Sequence, residues 1–271
     1  MKYREAAVAG KFYPGTPNEL KRQMTLYLGH GSASVHREYN QPKALIVPHA
    51  GYFYSGEVAA QAYQCLAPFR SVITHVVLLG PSHHVALQGS AVPDSDVFIT
   101  PLGEVKIDKA GVEMLLQRQL VIQSERAHHW EHALEVQLPF LQHCLANFTV
   151  LPLVVGPSEP SKLKQILTLS SSGDQTLIVV SSDLSHYHPY QEALRIDADT
   201  VARVSALSTD IHSHQACGCY AINGLLELAR DQAWHIECLA QTHSGEVMAK
   251  RKHRPVKADE EVVGYASFVL Y

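Results

Sequence analysis

Leu45–Gly56, LIVPHAGYFYSG, sets the reading of the chain. The apolar run Ala44–Val47 reads as a buried strand. Pro48 ends it, because proline cannot donate to a sheet ladder. His49 follows, and Gly51 permits a sharp turn or a close backbone approach. Ser55 is placed to cap a helix over Glu57–Leu66. A histidine therefore sits where a buried strand hands over to a helix. In open α/β sheets ligands bind at such points, outside the carboxyl ends of the strands.

Two further strand ends carry similar chemistry. Thr74–Leu79 runs into Gly80-Pro81-Ser82-His83-His84, and Gln175–Val180 into Ser181-Ser182-Asp183-Leu184-Ser185-His186. Thr149–Val155, ending at Gly156-Pro157, completes four parallel strands, expected to bury Val47, Leu78, Val154 and Val179. Helical periodicity falls between them: Pro17–Leu28, Asp108–Leu120, Glu159–Leu169, Tyr190–Leu207 and Tyr220–Arg230. Glu131–Leu145 reads as one helix kinked at Pro139, with His132 and Glu135 close together on it. Leu87–Val92 and Asp96–Thr100 read as short strands of a hairpin. Trp234–Thr242 and Glu261–Leu270 read as late antiparallel strands, and 29–42 as a polar connector. Strands alternating with helices imply an α/β fold, a three-layer α/β/α sandwich around a mostly parallel sheet. We read residues 1–271 as a single domain.

Composition narrows the function. The chain has 271 residues, 46% of them hydrophobic, enough for a full core. A formal net charge of −4 and the lack of a long basic run argue against nucleic acid as a partner. Arg251–Arg254 reads as a solvated basic loop. No stretch approaches the roughly 18 apolar residues of a membrane span, so no membrane association is expected. The N-terminal segment has no continuous apolar core of a signal peptide. Five widely spaced cysteines argue against a disulfide framework and for a reducing cytoplasm.

Histidine, at 17 residues, is the unusual component. His49 and His83 leave strand ends on one rim, and two imidazoles there can share iron, copper or zinc. Asp183 either ligates a metal or orients an imidazole, and His186 can move protons near neutral pH; the bland reading is a capped turn. Cys217, in Cys217-Gly218-Cys219, precedes a helix whose dipole favours a thiolate. It is a metal ligand, a redox centre, or a small residue packed beside glycine. As a thiolate it is expected to alkylate faster than Cys65, Cys144 or Cys238. No G-x-S-x-G, G-x-G-x-x-G, P-loop or H-E-x-x-H pattern occurs.

Several blocks in this order carry a resemblance: Arg4-Glu5-Ala6 with Ala9-Gly10, Pro48-His49-Ala50-Gly51-Tyr52, and Leu79-Gly80-Pro81-Ser82-His83-His84. Thr100-Pro101-Leu102, Glu131-His132-Ala133-Leu134-Glu135, Val179-Val180-Ser181-Ser182-Asp183 and Cys217-Gly218 continue it. Over nearly its whole length the chain resembles the Memo-like proteins, including AmmeMemoRadiSam system protein B, whose fold is similar to class III extradiol dioxygenases. The resemblance implies a metal pocket with His49, His83 and Cys217 as ligands, or Asp183 in place of the cysteine. Asp183 and His186 would be its catalytic pair. It implies a metal-dependent, dioxygenase-like oxidoreductase using Fe(II), with copper as the other metal, acting on a small molecule or peptide in a pathway shared with a radical-SAM protein. The alternatives are a non-catalytic ligand- or peptide-binding module and a metal-dependent hydrolase.

Overall fold

β-Branched and leucine runs without polar interruption form strands covered on both faces. In the computed structural model, which describes residues 1–29, 40–171 and 173–271, these runs make the centre of one sheet. In chain order the first elements are β1 Tyr3–Arg4, α1 Pro17–Gly29, β2 Ala44–Val47, α2 Tyr52–Gln64 and β3 His75–Pro81. β4 Ser90–Val92, β5 Val97–Thr100, β6 Gly103–Ile107, α3 Lys109–Gln117 and β7 Ile122–Gln123 follow. Then come α4 Glu125–His129, α5 His132–Glu135, α6 Leu138–Cys144, β8 Thr149–Val155, α7 Pro160–Ser170 and β9 Thr176–Ser181. The last elements are β10 His186–Pro189, α8 Tyr190–Ser205, α9 Cys219–Asp231, β11 Ile236–His243, α10 Ser244–Lys252 and β12 Glu261–Leu270.

The sheet order is β1-β5-β6-β8-β3-β9-β2-β12-β10, with β11 on the other edge of β12. The pairs β6–β8, β8–β3, β3–β9 and β9–β2 are parallel, and β2–β12, β11–β12 and β10–β12 antiparallel. Helices α1, α2 and α6 pack together as one layer, α7 packs on α9, and α8 packs on β10, β11 and β12. The result is the expected α/β/α sandwich. Val47, Leu78, Val154 and Val179 lie in the four adjacent strands, fully buried. Leu78→Ala is expected to cost about 2–5 kcal/mol through lost burial and a residual cavity, read by urea denaturation.

Several local expectations change. α2 starts at Tyr52, so Ser55 lies inside the helix, where its Oγ donates to the Ala50 carbonyl, and Gly51 is the cap. The stretch 131–145 is two helices, because Pro139 opens α6 instead of kinking a longer one. β4 pairs β7 and β8, while β5 makes its hairpin with β6, a strand that the sequence pattern does not mark. The basic segment at 251 begins on α10, with the Arg251 guanidinium carbon 3.9 Å above the centre of the Phe53 ring. That helix covers apolar surface the sequence pattern does not mark. Most of the connector 29–42 lies outside the described residues. No helix among those described is long and apolar enough to cross a membrane.

One buried charge pair braces the far side of the sheet. Asp197 on α8 is fully buried; Oδ1 accepts the Ser185 amide at 3.0 Å and Oδ2 the His243 Nε2–H at 2.9 Å. Gly264 makes room for it, since a Cβ there would sit 1.8 Å from Oδ2. Burial opposes charge on His243, but the carboxylates of Asp197 and Glu246 outweigh it and raise its pKa above the usual 6.5. A raised pKa means the folded state holds the proton more tightly. The contribution is therefore complete below about pH 6.5 and is lost as pH rises through the folded value. The stability gap between wild type and His243→Gln should narrow steadily from pH 6 to pH 9, measured by denaturant midpoints.

Candidate metal centre

β9 lies between β3 and β2, and their ends are level: Val47 is in register with Ser181, and Leu79 with Val180. Neighbouring strands are about 4.8 Å apart. The segments after β2 and β3 are thus held two strand spacings apart across the end of β9. Two imidazoles reaching inward can close that distance.

His49 is buried and tightly framed. Its amide donates to Asp183 Oδ1 at 2.7 Å, and its Nδ1 lies 3.0 Å from Ser181 Oγ. Ser181 Oγ donates its only proton to the Ala133 carbonyl at 2.6 Å and accepts from Gln137 Nε2 at 2.8 Å. Toward His49 it can only accept, so the proton sits on Nδ1 and Nε2 presents a lone pair. Burial first, then the neighbouring His83, lowers the His49 pKa to about 3, keeping the ring neutral.

His83 is oriented by Glu131, whose Oε2 accepts its amide at 2.7 Å and Oε1 its Nδ1 at 2.8 Å. Burial alone would raise the Glu131 pKa. The His83 ring and the amides of His83 and Ala133 outweigh it and hold the carboxyl at about 2. An ionised carboxylate only accepts, so His83 also carries its proton on Nδ1 and turns Nε2 outward.

His132, the first residue of α5, completes the group. Its ring stacks on His83 with centroids 4.7 Å apart and meets His49 edge-on at 5.5 Å. Burial, then His49, lowers its pKa to about 4. One ligand nitrogen from each of His49, His83 and His132 lies within 4.8 Å of the others. Nitrogen ligands on one ion stand about 2.1 Å from it, hence roughly 3–4 Å apart. The limit of 4.8 Å lies a little above that spacing, and imidazole suits iron, copper or zinc far better than magnesium or calcium.

A family model described as Memo-like protein matches residues 4–269. The chain belongs to the Memo-like family. It is 39% identical to a MEMO1 family protein of Aquifex aeolicus, over 78% of this chain and 77% of that one. It is 33% identical to the MEMO1 family protein MJ0403 of Methanocaldococcus jannaschii, over 99% of both chains. Among solved structures, the uncharacterized protein JW3007 from Escherichia coli K12 shares the fold with a TM-score of 0.51 at 13% identity, covering 84% of this chain and 99% of that one.

In this Memo-like protein the five residues singled out from the sequence have different placements. His49 and His83 meet, as just described. Cys217 reaches the group through His49: its Sγ is 3.3 Å from His49 Nε2, and its amide donates to the Asp183 carbonyl at 3.3 Å. The close approach needs Gly218, where a Cβ would lie 2.9 Å from the Ser181 carbonyl oxygen. The surroundings oppose the thiolate that the helix dipole would favour. Burial, then the Asp183 charge, raises the Cys217 pKa well above the usual thiol range, and the thiol donates to the lone pair of His49. Metal-free Cys217 should therefore alkylate more slowly than Cys238, the reverse of the order expected from sequence. Mass spectrometry after timed iodoacetamide treatment at pH 8 checks this.

Asp183 orients backbone instead of a ring. Its Oδ1 accepts the amides of His49 and Ala50, while Oδ2 is 4.0 Å from His49 Nε2, beyond hydrogen-bond reach. Burial raises its pKa against the pull of those amides. His186 starts β10, half-buried beside β12, with its ring 5.9 Å from that of Tyr187.

The sequence pattern leaves open whether His132 faces the site or packs its helix on the sheet, and it does not mark Glu131 and Ser181. The helical spacing of His132 and Glu135 made them look like a pair. They point apart: His132 joins the rings, and Glu135 is fully buried against Arg4 and Tyr13. The usable signal was Glu131-His132 itself, a carboxylate beside an imidazole at a helix start.

Proposed function

We propose that this Memo-like protein is a mononuclear transition-metal protein working as a dioxygenase-like oxidoreductase, with Fe(II) as its metal and copper as the alternative. The observation that carries the reading is the imidazole trio, two of whose rings have Nδ1 engaged by an acceptor and so carry their lone pair on Nε2. His49, His83 and His132 would hold the ion, with Cys217 at the edge of the set beside His49. When bound, the ion would supply a Lewis-acidic, redox-active centre. Asp183 holds the His49 loop in place, and His186 at the rim moves a proton at its ring nitrogen. The substrate is a small molecule. A pathway shared with a radical-SAM protein rests on the family resemblance, and a cytoplasmic setting on the cysteine pattern.

A second reading, a ligand- or peptide-binding module, is favoured by a groove of about 440 Å³ between α2 and α10 that includes Phe53, Tyr54, Lys250 and Arg251. Anaerobic purification with metal analysis, then a metabolite screen for oxygen consumption, tests the first reading. About one iron or copper per chain and metal-dependent oxygen uptake are expected; His186→Ala should retain metal and lose turnover. Peptide binding indifferent to chelator, with no oxygen uptake, would establish the second. Ester or amide turnover under nitrogen would instead mark a metal-dependent hydrolase.

A further inference from the structure

The polar groups nearest the imidazoles are themselves held by a deeper layer, and that layer is made by the N-terminal segment. Arg4 is 2% exposed. Its Nε donates to the His128 carbonyl at 2.7 Å, Nη2 to the Glu131 carbonyl at 2.8 Å and Nη1 to Glu135 Oε2 at 2.8 Å. It thereby clamps both ends of the turn 128–131 that delivers Glu131 and His132. Glu135 accepts four donors in all: Arg4, the amides of Ala7 and Val8 at 2.8 and 3.0 Å, and the Tyr13 hydroxyl at 2.7 Å. The segment so anchored runs on over the site. The Phe12 ring lies 4.7 Å from the His132 ring, and the Phe12 carbonyl accepts the Tyr52 amide at 2.8 Å, three residues past His49. Residues 4–13 therefore touch the supports of all three imidazoles.

We propose that Arg4, Glu135 and Phe12 are positioning residues of the imidazole trio: the ion pair fixes the Glu131 peptide that aims His83, and Phe12 backs His132, so the N-terminal strap sets the affinity of the centre for a divalent transition metal. This rests on the metal reading above for its affinity arm only. A lysine at position 4 keeps the charge but cannot make the three-directional fork of a guanidinium. Partners one step outside the ligands typically change metal affinity 10–100-fold, and this strap acts through such a partner.

The test uses the full chain with Co(II) as probe. Arg4→Lys and Phe12→Leu are compared with wild type and with Leu115→Ala, a buried position on α3 chosen as a general destabilisation control. Arg4→Lys should weaken Co(II) binding about 10-fold or more and alter the cobalt d–d spectrum. Phe12→Leu, at a half-buried site where folding is retained, should weaken it several-fold, and Leu115→Ala should leave affinity unchanged despite a lower Tm. A second readout needs no metal: the ¹⁵N shifts of His83 should report an Nδ1–H tautomer in wild type and a mixed population in Arg4→Lys. Wild type failing to bind Co(II) would sink the metal reading, and the tautomer measurement would then judge the strap by itself. Affinity within twofold of wild type in both strap variants, or an equal loss in Leu115→Ala, overturns the proposal. So does an unchanged His83 tautomer in Arg4→Lys.

Discussion

His49→Ala and His83→Ala are each expected to lose transition-metal binding while the chain stays folded. Each removes a nitrogen whose lone pair is directed by a fixed acceptor, Ser181 for His49 and Glu131 for His83. The loss should exceed the roughly 10–100-fold typical of a change one step outside the ligands. His132→Ala should behave alike, because the stacked ring belongs to the same group of ligand atoms. Cys217→Ser should cost less, since its thiol meets the group as a hydrogen-bond donor to His49. Metal content after anaerobic purification and Co(II) titration measure all four. Full metal in both His49→Ala and His83→Ala would remove the site. Metal lost in Cys217→Ser and kept in His132→Ala would make the cysteine the third ligand.

Glu135→Ala is the most destabilising single change we expect. It strips the partner from a buried guanidinium and leaves two amides and a tyrosine hydroxyl without their acceptor. Removing one member of a buried ion pair costs about 3–5 kcal/mol, which for a chain of this size is on the order of 10 °C in Tm. The asymmetry of the pair gives a sharper check. Replacing Arg4 and Glu135 together by leucine and methionine removes both charges, so part of the loss should be recovered relative to Glu135→Ala. A double variant less stable than Glu135→Ala would show that the pair contributes more than it costs to bury.

The sequence determined by itself what local pattern encodes. The apolar runs 44–47, 75–79, 149–155 and 176–180 are continuous because helices cover both faces of the sheet. Pro48, Gly80-Pro81 and Ser181-Ser182 punctuate them at the backbone. His49, His83 and Asp183 were therefore legible at strand ends, and the family was legible from the blocks around them. Only the tertiary structure decided which of these residues meet. β9 enters the sheet between β2 and β3, which sets His49 and His83 facing each other across the end of β9. His132 comes from a four-residue helix with too few turns to show a face, so no periodicity could assign its direction. Its neighbour Glu135 turns the other way because a buried Arg4, 131 positions earlier, takes the carboxylate. The helix dipole pointed to a Cys217 thiolate, whereas burial and the charge of Asp183 raise the pKa of that thiol. Spacing along a chain reports only neighbours on one element. Ligand sets, tautomers and proton affinities depend on groups that strand order and burial bring together from distant positions.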